Sequence, residues 1–576
     1  MTPVSIWRAT PRIAGSGEQI GDGLPPGRTT AITLPENGTS QPPCGGQRES
    51  QAQLGEERLS MASSEARQPL LIGVDAGTTN TKAVVFDPAG RVIAQASEPT
   101  PIHYPRAEWA EYGDETLWQV AATAIREALA QVDDTKRVQG IAFASMAETA
   151  VPIDREGRAT GPAIAWFDKR SRAEIELIGE RVGRERLFAI TGLSPEPIFG
   201  LGKLLWHRRH RPEAFAGTTK WLNVADYLAW RLCGEMATDF SLACRTLALD
   251  LRQRRWSDEV LAAMEVDPRI MAPLVPSGTD LGRVSEEGAA ATGLPRHCVV
   301  AAGGHDHIVG AVAADAMRPG VLLSSTGTTE ASLMGTAQPS PDPALGQAGY
   351  SQGVCYVDTP VYYVLGGLFT AGGAIDWFRR CMADGADYAT LVAEATASPA
   401  GSQGAVFLPH LRLGTAPSPN ARARGAFLGL STDITRGDLF RAVLEGIAAD
   451  SRRCAEGMLP LIPAGPPDAI RVIGGLTRNP LYMAIKAAML DHPITVVELA
   501  DSVCAGAAIL AGLGAGVYQS QTAAVTAMRG SEKQVMPEPD SAQHYQRLYR
   551  DVHAPAPNAV RPLHDALARL PSNQGL

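Results

Sequence analysis

From residue 70 onward the chain alternates short apolar runs with amphipathic stretches, separated by turns that carry Gly, Asn or Pro. Residues 70–74, Leu-Leu-Ile-Gly-Val, form an unbroken apolar run that predicts a buried strand. Residues 75–80 read as a turn, 81–86 as a second strand, and 87–90 as the corner into a third strand over 91–97. Two strands joined by a short Gly/Asn turn predict a hairpin. Between 114 and 132 the apolar positions recur at helical spacing, and 138–144 is again a buried strand. Alternating strands and helices predict an α/β fold. Residues 321–333 repeat the strand–turn–strand pattern around Gly327-Thr328-Thr329, as the first hairpin does around Gly77-Thr78-Thr79. Two copies of one hairpin predict two domains facing a shared cleft, with a boundary near Arg318-Pro319-Gly320. Residues 504–518, largely Ala and Gly, read as a buried helix rather than a membrane span.

Residues 1–68 break this pattern. They are rich in Gly, Pro, Ser, Thr, Gln and Arg and have no sustained apolar period, so a disordered extension is expected. The apolar core of a secretory signal is missing, and Glu18, Glu36, Glu49, Glu56 and Glu57 weigh against a transit peptide. Met61, just ahead of the patterned region, offers a second reading in which the start codon has been mis-called.

Composition narrows the classes. The 576 residues suggest three or four nominal domains or two large ones, and 45% hydrophobic with 20% charged residues suits a soluble chain with a large core. No apolar run approaches about 18 residues, so no membrane partner is expected. The net charge of −9 disfavours nucleic acid. Eight cysteines without a CxxC pair read as reduced, mostly buried thiols of a cytoplasmic protein.

Three segments could carry chemistry. In Asp75-Ala76-Gly77-Thr78-Thr79-Asn80, backbone N–H groups and hydroxyls can wrap phosphate oxygens. Asp75 is placed to hold a hydrated Mg²⁺, and Lys82 adds positive charge nearby. An ordinary polar turn is the competing reading. In residues 299–311, an apolar strand runs through Gly303-Gly304 into His305-Asp306-His307 at the start of an apolar helix. A carboxylate there suits a catalytic base, and equally an N-cap. The two histidines are not expected to pair on a metal, because positions i and i+2 do not share a helix face. In residues 471–480, a strand enters Gly474-Gly475 and a helix follows from 481 to 490; the glycines permit close approach to a flat ligand such as adenine.

In their order along 70–550, these segments resemble the FGGY family of carbohydrate kinases, which includes glycerol kinase and xylulokinase. The first phosphate motif of that family resembles residues 75–82. Its N-terminal hallmark is similar to Pro197-Ile198-Phe199-Gly200-Leu201-Gly202-Lys203-Leu204-Leu205-Trp206, and Asp226-Tyr227-Leu228, Thr238-Asp239 and residues 241–246 also match. The C-terminal hallmark is similar to Gly425-Ala426-Phe427-Leu428-Gly429-Leu430, seven intervening residues, and 438–445. The resemblance implies two actin-like (ribonuclease H-like) ATPase domains, each a mixed sheet of about five strands with helices on both faces. ATP and sugar would meet in the cleft between them. It places an FGGY N-terminal domain, for sugar and phosphate, at 69–318, a nucleotide-binding C-terminal domain at 319–550, and a tail at 551–576.

The roles follow from the resemblance. Thr78, Thr79, Asn80 and Lys82 would border the ATP phosphates from one side, and Gly327 and Thr328 from the other. Gly372 and Asp376 would lie near the nucleotide, Gly475 and Asn479 would hold adenosine, and Asp306 would be the catalytic base. Trp166 and Asp168 match the segment beside the sugar, with core packing and a pairing of Asp168 with Arg170 or Arg172 as the competing readings. Where glycerol kinases carry Arg-Glu and xylulokinases Met-His, this chain has Ala147-Glu148. Glu148 is therefore expected to bind a hydroxyl of a small sugar or polyol, a ketose or sugar alcohol of about four to six carbons, but neither substrate signature is met. An actin-like ATPase of chaperone or regulatory type is the alternative class, and self-association to a homodimer is left open.

Overall fold

The computed structural model describes residues 68–570. The expectations for residues 1–67, including the disordered extension and the start at Met61, lie outside the described residues, as do the last six residues of the expected tail.

The first apolar run forms β1 (Leu70–Ala76), and the hairpin continues through β2 (Asn80–Phe86) and β3 (Val92–Pro99). Helix α1 (Asp114–Leu129) follows, burying Leu117, Ala121, Ile125 and Ala128 at the spacing of one helix face. Next come β4 (Val138–Ser145), helix α2 (Gly200–His210), β5 (Asp280–Arg283), β6 (Val299–His305) and helix α3 (Asp306–Ala313). The sheet order is β5–β6–β4–β1–β2–β3. Strands β6, β4 and β1 run parallel, and the β1–β2–β3 meander is antiparallel. β1 is buried along nearly its whole length, which is why it reads as a continuous apolar run rather than an alternating one.

The second sheet repeats the plan. It contains β7 (Val321–Thr326), β8 (Glu330–Thr336), β9 (Ser351–Tyr356), β10 (Pro360–Leu368), β11 (Ala469–Ile473), β12 (Ile494–Glu498) and β13 (Ser531–Val535). Its order is β9–β10–β8–β7–β11–β12–β13, with β7, β11 and β12 parallel and the β7–β8–β10–β9 meander antiparallel. Its helices include α4 (Gly372–Met382), α5 (Arg436–Met458), α6 (Pro480–Leu490) and α7 (Ser502–Gly514). The two Gly-Thr-Thr turns thus occupy equivalent positions in two sheets of like topology. The sheets are larger than the expected five strands, at six and seven. Antiparallel β5 and β13 each extend a parallel trio, and β9 adds a further strand to the second meander.

The Ala/Gly-rich segment forms α7, which ends at Gly514, short of the expected 518. It belongs to the second half of the chain, yet it packs on β1, β4 and β6 of the first sheet and against α3. Small residues are required there: a Cβ on Gly73 would lie 1.8 Å from the Cys504 carbonyl oxygen, and one on Gly506 would lie 2.0 Å from that of Val309. One continuous core therefore joins Leu71 and Ala142 of the first sheet, Ile308 and Ala508 of the two helices, and Leu323 and Ile473 of the second sheet. Residues 551–570 of the expected tail carry helical turns over Ala556–Ala559 and Arg561–Leu567. No helix among the described residues is long and apolar enough to cross a membrane.

Candidate active site

A cavity of about 600 Å³ opens between the two sheets. The first sheet and its loops contribute Thr78, Glu148, Trp166, Glu196, Arg245 and Asp306, and the second contributes segments at 329–331, 349–351 and 365–369. Four residues expected at the site from sequence, Thr78, Glu148, Trp166 and Asp306, thus share one wall.

Asp306 is the first residue of α3, and His305 is its N-cap, so the N-cap role weighed for Asp306 falls to its neighbour. The Asp306 Oδ1 accepts the His307 backbone N–H and lies 3.2 Å from His305 Nε2. Burial raises the Asp306 carboxyl, but the two histidines more than offset it and hold the group at about 2. Burial also pushes the His307 imidazole down. Among the lowering influences on Asp306 the charge interaction with His307 is the largest, followed by the hydrogen bond from His305. An ionised carboxylate at the cavity wall can accept a proton from a substrate hydroxyl. Side-chain ligand atoms of His305, Asp306 and His307 approach within 4.8 Å of one another. The face argument against the histidines does not apply, because His305 ends a strand and only His307 is on the helix.

The first hairpin stands next to this wall. Asp75 faces Lys82 across β1–β2, and Gly77 N donates to the Asn80 carbonyl at 3.0 Å, closing the turn. Thr79 and Asn80 are exposed at its tip. Thr78 Oγ1 accepts from Trp166 Nε1 at 3.0 Å, which joins a residue expected at phosphate to one expected at sugar. Asp75 Oδ1 is sealed from solvent without a hydrogen-bond partner. Burial, then the negative charges of Asp306 and Asp501, pushes its carboxyl well above the usual range, with Lys82 opposing. An orphaned carboxylate oxygen among acidic neighbours is a place where a bound cation would relieve the electrostatic cost, so the residues fit Mg²⁺.

The second hairpin is closed by the Gly327 N–H donating to the Thr329 carbonyl at 2.8 Å. The start of α4 docks on it: Gly372 N donates to Gly327 O at 2.8 Å and Gly373 N to Thr328 O at 3.0 Å. Gly372 is needed for that approach, since a Cβ would sit 2.6 Å from the Gly327 carbonyl oxygen. Asp376 points outward, its side chain 67% exposed and 3.8 Å from Arg379. In the loop after β11, Gly475 has open space around its Cβ position. Asn479 is committed internally: it caps α6 by accepting Tyr482 N–H at 3.1 Å, and its amide donates to Tyr388 Oη at 2.9 Å.

Asp168 is not at the cavity wall. It is fully buried, accepts Ala110 N–H at 2.6 Å and Arg170 Nη2 at 2.7 Å, and leaves no oxygen free for a sugar. The pairing with Arg170, the competing reading for Asp168, is the one present in this structure. Glu148 lines the cavity but is also paired, 2.6 Å from Arg245. Arg245 reaches across to Ser351 Oγ of β9 at 3.2 Å. Arg245 and Glu196 were not singled out by sequence reasoning. Arg245 lies in the 241–246 stretch that matches the family, but its pairing with Glu148 arises only on folding, and Glu196 sits in no such stretch.

Comparisons with known proteins agree with this construction. Residues 70–313 match the N-terminal domain model of the FGGY family of carbohydrate kinases, and 322–515 match its C-terminal domain model. A xylulose kinase of Klebsiella pneumoniae is 33% identical over 411 residues, 70% of this chain and 82% of that protein. An L-fuculokinase of Escherichia coli K12 is 28% identical over 458 residues, 79% of this chain and 94% of that protein. The crystal structure of a xylulose kinase from Rhodospirillum rubrum superposes with a TM-score of 0.77 at 30% identity, covering 86% of this chain and all of that one. The alternative of an actin-like ATPase without sugar kinase activity gains no support from these relatives. With both halves matched in order and the two hairpins and Asp306 gathered at one cleft, the chain belongs to the FGGY family of carbohydrate kinases.

Proposed function

We propose that this protein transfers the γ-phosphoryl group of ATP to a hydroxyl of a small neutral ketose or polyol of about four to six carbons. The observation that carries the reading is the cavity wall on which ionised Asp306 stands beside Thr78, at the foot of a Gly-Thr-Thr hairpin. Its volume suits one small ligand between two domains. Asp306 accepts the proton as the sugar oxygen attacks the γ-phosphorus, and the bond to the β,γ-bridging oxygen breaks to release ADP. Thr78, Thr79, Asn80 and Lys82 flank the phosphates from one hairpin, and Gly327 and Thr328 from the other. Gly475 borders adenosine, with Gly372, Asp376 and Asn479 shaping that side. Mg²⁺, held near Asp75, would neutralise developing phosphate charge. We assign 69–318 to sugar and phosphate binding and 319–550 to the nucleotide, in a cytoplasmic enzyme; a homodimer remains a compatible assembly.

Neutrality of the acceptor is supported by the charges on the wall. Glu148 is already matched by Arg245, and the carboxyls of Glu196 and Asp306 outnumber the one further arginine on the wall, Arg412. The test is ADP release from Mg²⁺-ATP with glycerol, erythritol, D-xylulose, L-fuculose, D-fructose and gluconate. Stimulation by one neutral member is expected. Stimulation by gluconate alone would reassign Arg245 and Arg412 as a carboxylate site, and stimulation by none sinks the kinase reading.

A further inference from the structure

Lys203 sits in α2 and is only 1% exposed. Its Nζ donates to three main-chain carbonyls: Glu148 at 2.7 Å, Ile198 at 2.8 Å and Trp166 at 3.4 Å. These carbonyls belong to three separate segments, and all three residues line the cavity. An ammonium has three donors and no acceptor, so its capacity is matched by these carbonyls. A buried charge is retained at high desolvation cost unless such partners compensate it. Glu148 has a further peculiarity. Its backbone φ is +60°, a left-handed conformation that non-glycine residues rarely adopt and that persists only where the surroundings over-determine it. Its carbonyl is held by Lys203 and its carboxylate by Arg245, so it is anchored at both ends.

We propose that Lys203 is a positioning residue for the sugar acceptor, a buried tie that holds Glu148, Trp166 and Ile198 in the register needed to form one wall of the cavity. The proposal rests on the kinase reading above. A purely packing role predicts no link to acceptor affinity, whereas a tie on three cavity segments does. The charged groups facing Lys203 are Glu148 and Asp168, which favour its protonated form, and Arg170, which opposes it. Burial dominates and pushes the ammonium down to about 7. Below that pH all three carbonyls have a donor. Above it the neutral amine has two N–H groups for three carbonyls, and the wall loosens.

The test compares wild type with Lys203→Met, an uncharged side chain of similar length, using whichever neutral acceptor of the six-compound panel gives the fastest ADP release. The expected result is an acceptor KM at least tenfold higher in Lys203→Met, with KM for ATP within twofold. In wild type the acceptor KM should rise several-fold between pH 6 and pH 9, and this slope should vanish in the variant. An acceptor KM within twofold of wild type overturns the proposal, and so does an equal rise in both constants, which marks general damage. If Lys203→Met does not fold, a wild-type acceptor KM that is flat from pH 6 to 9 overturns it. Failure of every panel member with wild type instead removes the kinase reading on which the proposal stands.

Discussion

Lys82 and Asp501, 419 positions apart in sequence, meet in an ion pair of 3.1 Å. Lys82 belongs to the first Gly-Thr-Thr hairpin, whereas Asp501 is the N-cap of α7 and accepts the Cys504 N–H at 2.9 Å. A single carboxylate therefore ends a helix of the second half and restrains a cation of the first. The two functions can be separated. Asp501→Asn keeps a good cap and removes the charge, so stability should change by less than about 1 kcal/mol, the range of a partly exposed pair. KM for ATP should nonetheless change, because Lys82 is released toward the phosphates. Asp501→Ala should lose a further ~1 kcal/mol as the cap goes. Urea melts and ATP kinetics on both variants read the two effects; equal stability in both would show that the cap contributes nothing.

Asp306→Asn should retain the fold and ATP binding while turnover falls about 10²–10⁴-fold, the usual contribution of a general base. A variant within about tenfold of wild type removes Asp306 from that role. The pH dependence has a defined sign. The Asp306 carboxyl is held down at about 2, so it is ionised and competent at every pH above roughly 4, and base function is lost only as pH falls through about 2. An acid limb of kcat/KM in the neutral range should therefore persist in shape when Asp306 is replaced by Glu, and belongs to another group.

Glu148→Gln conserves size but gives up the carboxylate that faces Arg245 at 2.6 Å. A lost hydrogen bond to a charged group costs about 1.5–3 kcal/mol. The same range applies to an acceptor hydroxyl bound by Glu148, so the acceptor KM should rise roughly tenfold or more, while KM for ATP stays within about twofold. Parallel drift of both constants with a lowered melting temperature would instead mark Glu148 as an internal partner of Arg245 alone.

Lys486 and Glu330 form a fully buried pair at 2.7 Å, with Tyr482 Oη 3.2 Å from the second carboxylate oxygen. Glu330 directly follows Thr329 of the second turn, and Lys486 lies on α6 behind the Gly474-Gly475 loop. Lys486→Met leaves a carboxylate buried without its cation and should cost about 3–5 kcal/mol. The double change Lys486→Met with Glu330→Gln should recover part of that loss, because the uncompensated charge is gone. Equilibrium denaturation of the two variants decides; a Lys486→Met protein as stable as wild type contradicts the pairing.

Local pattern alone determined a good deal of this protein. The apolar run at 70–74, the helical spacing from 114 and the repeated Gly-Thr-Thr turns predict β1, α1 and both hairpins, because hydrophobic period and turn chemistry act within a few residues. The start of a helix at Asp306 was visible for the same reason. Tertiary structure decided the rest. Asp168 has Arg170 two positions away, and only burial of the pair turns an available carboxylate into a spent one. Glu148 and Arg245 are 97 positions apart, and nothing near either residue announces the other. The small residues of α7 mark a buried helix, but not that it packs on the sheet begun more than 400 residues earlier. Secondary structure is written in short-range periodicity, whereas the pairings that build the cavity depend on which distant segments the closed sheets bring within a few ångströms.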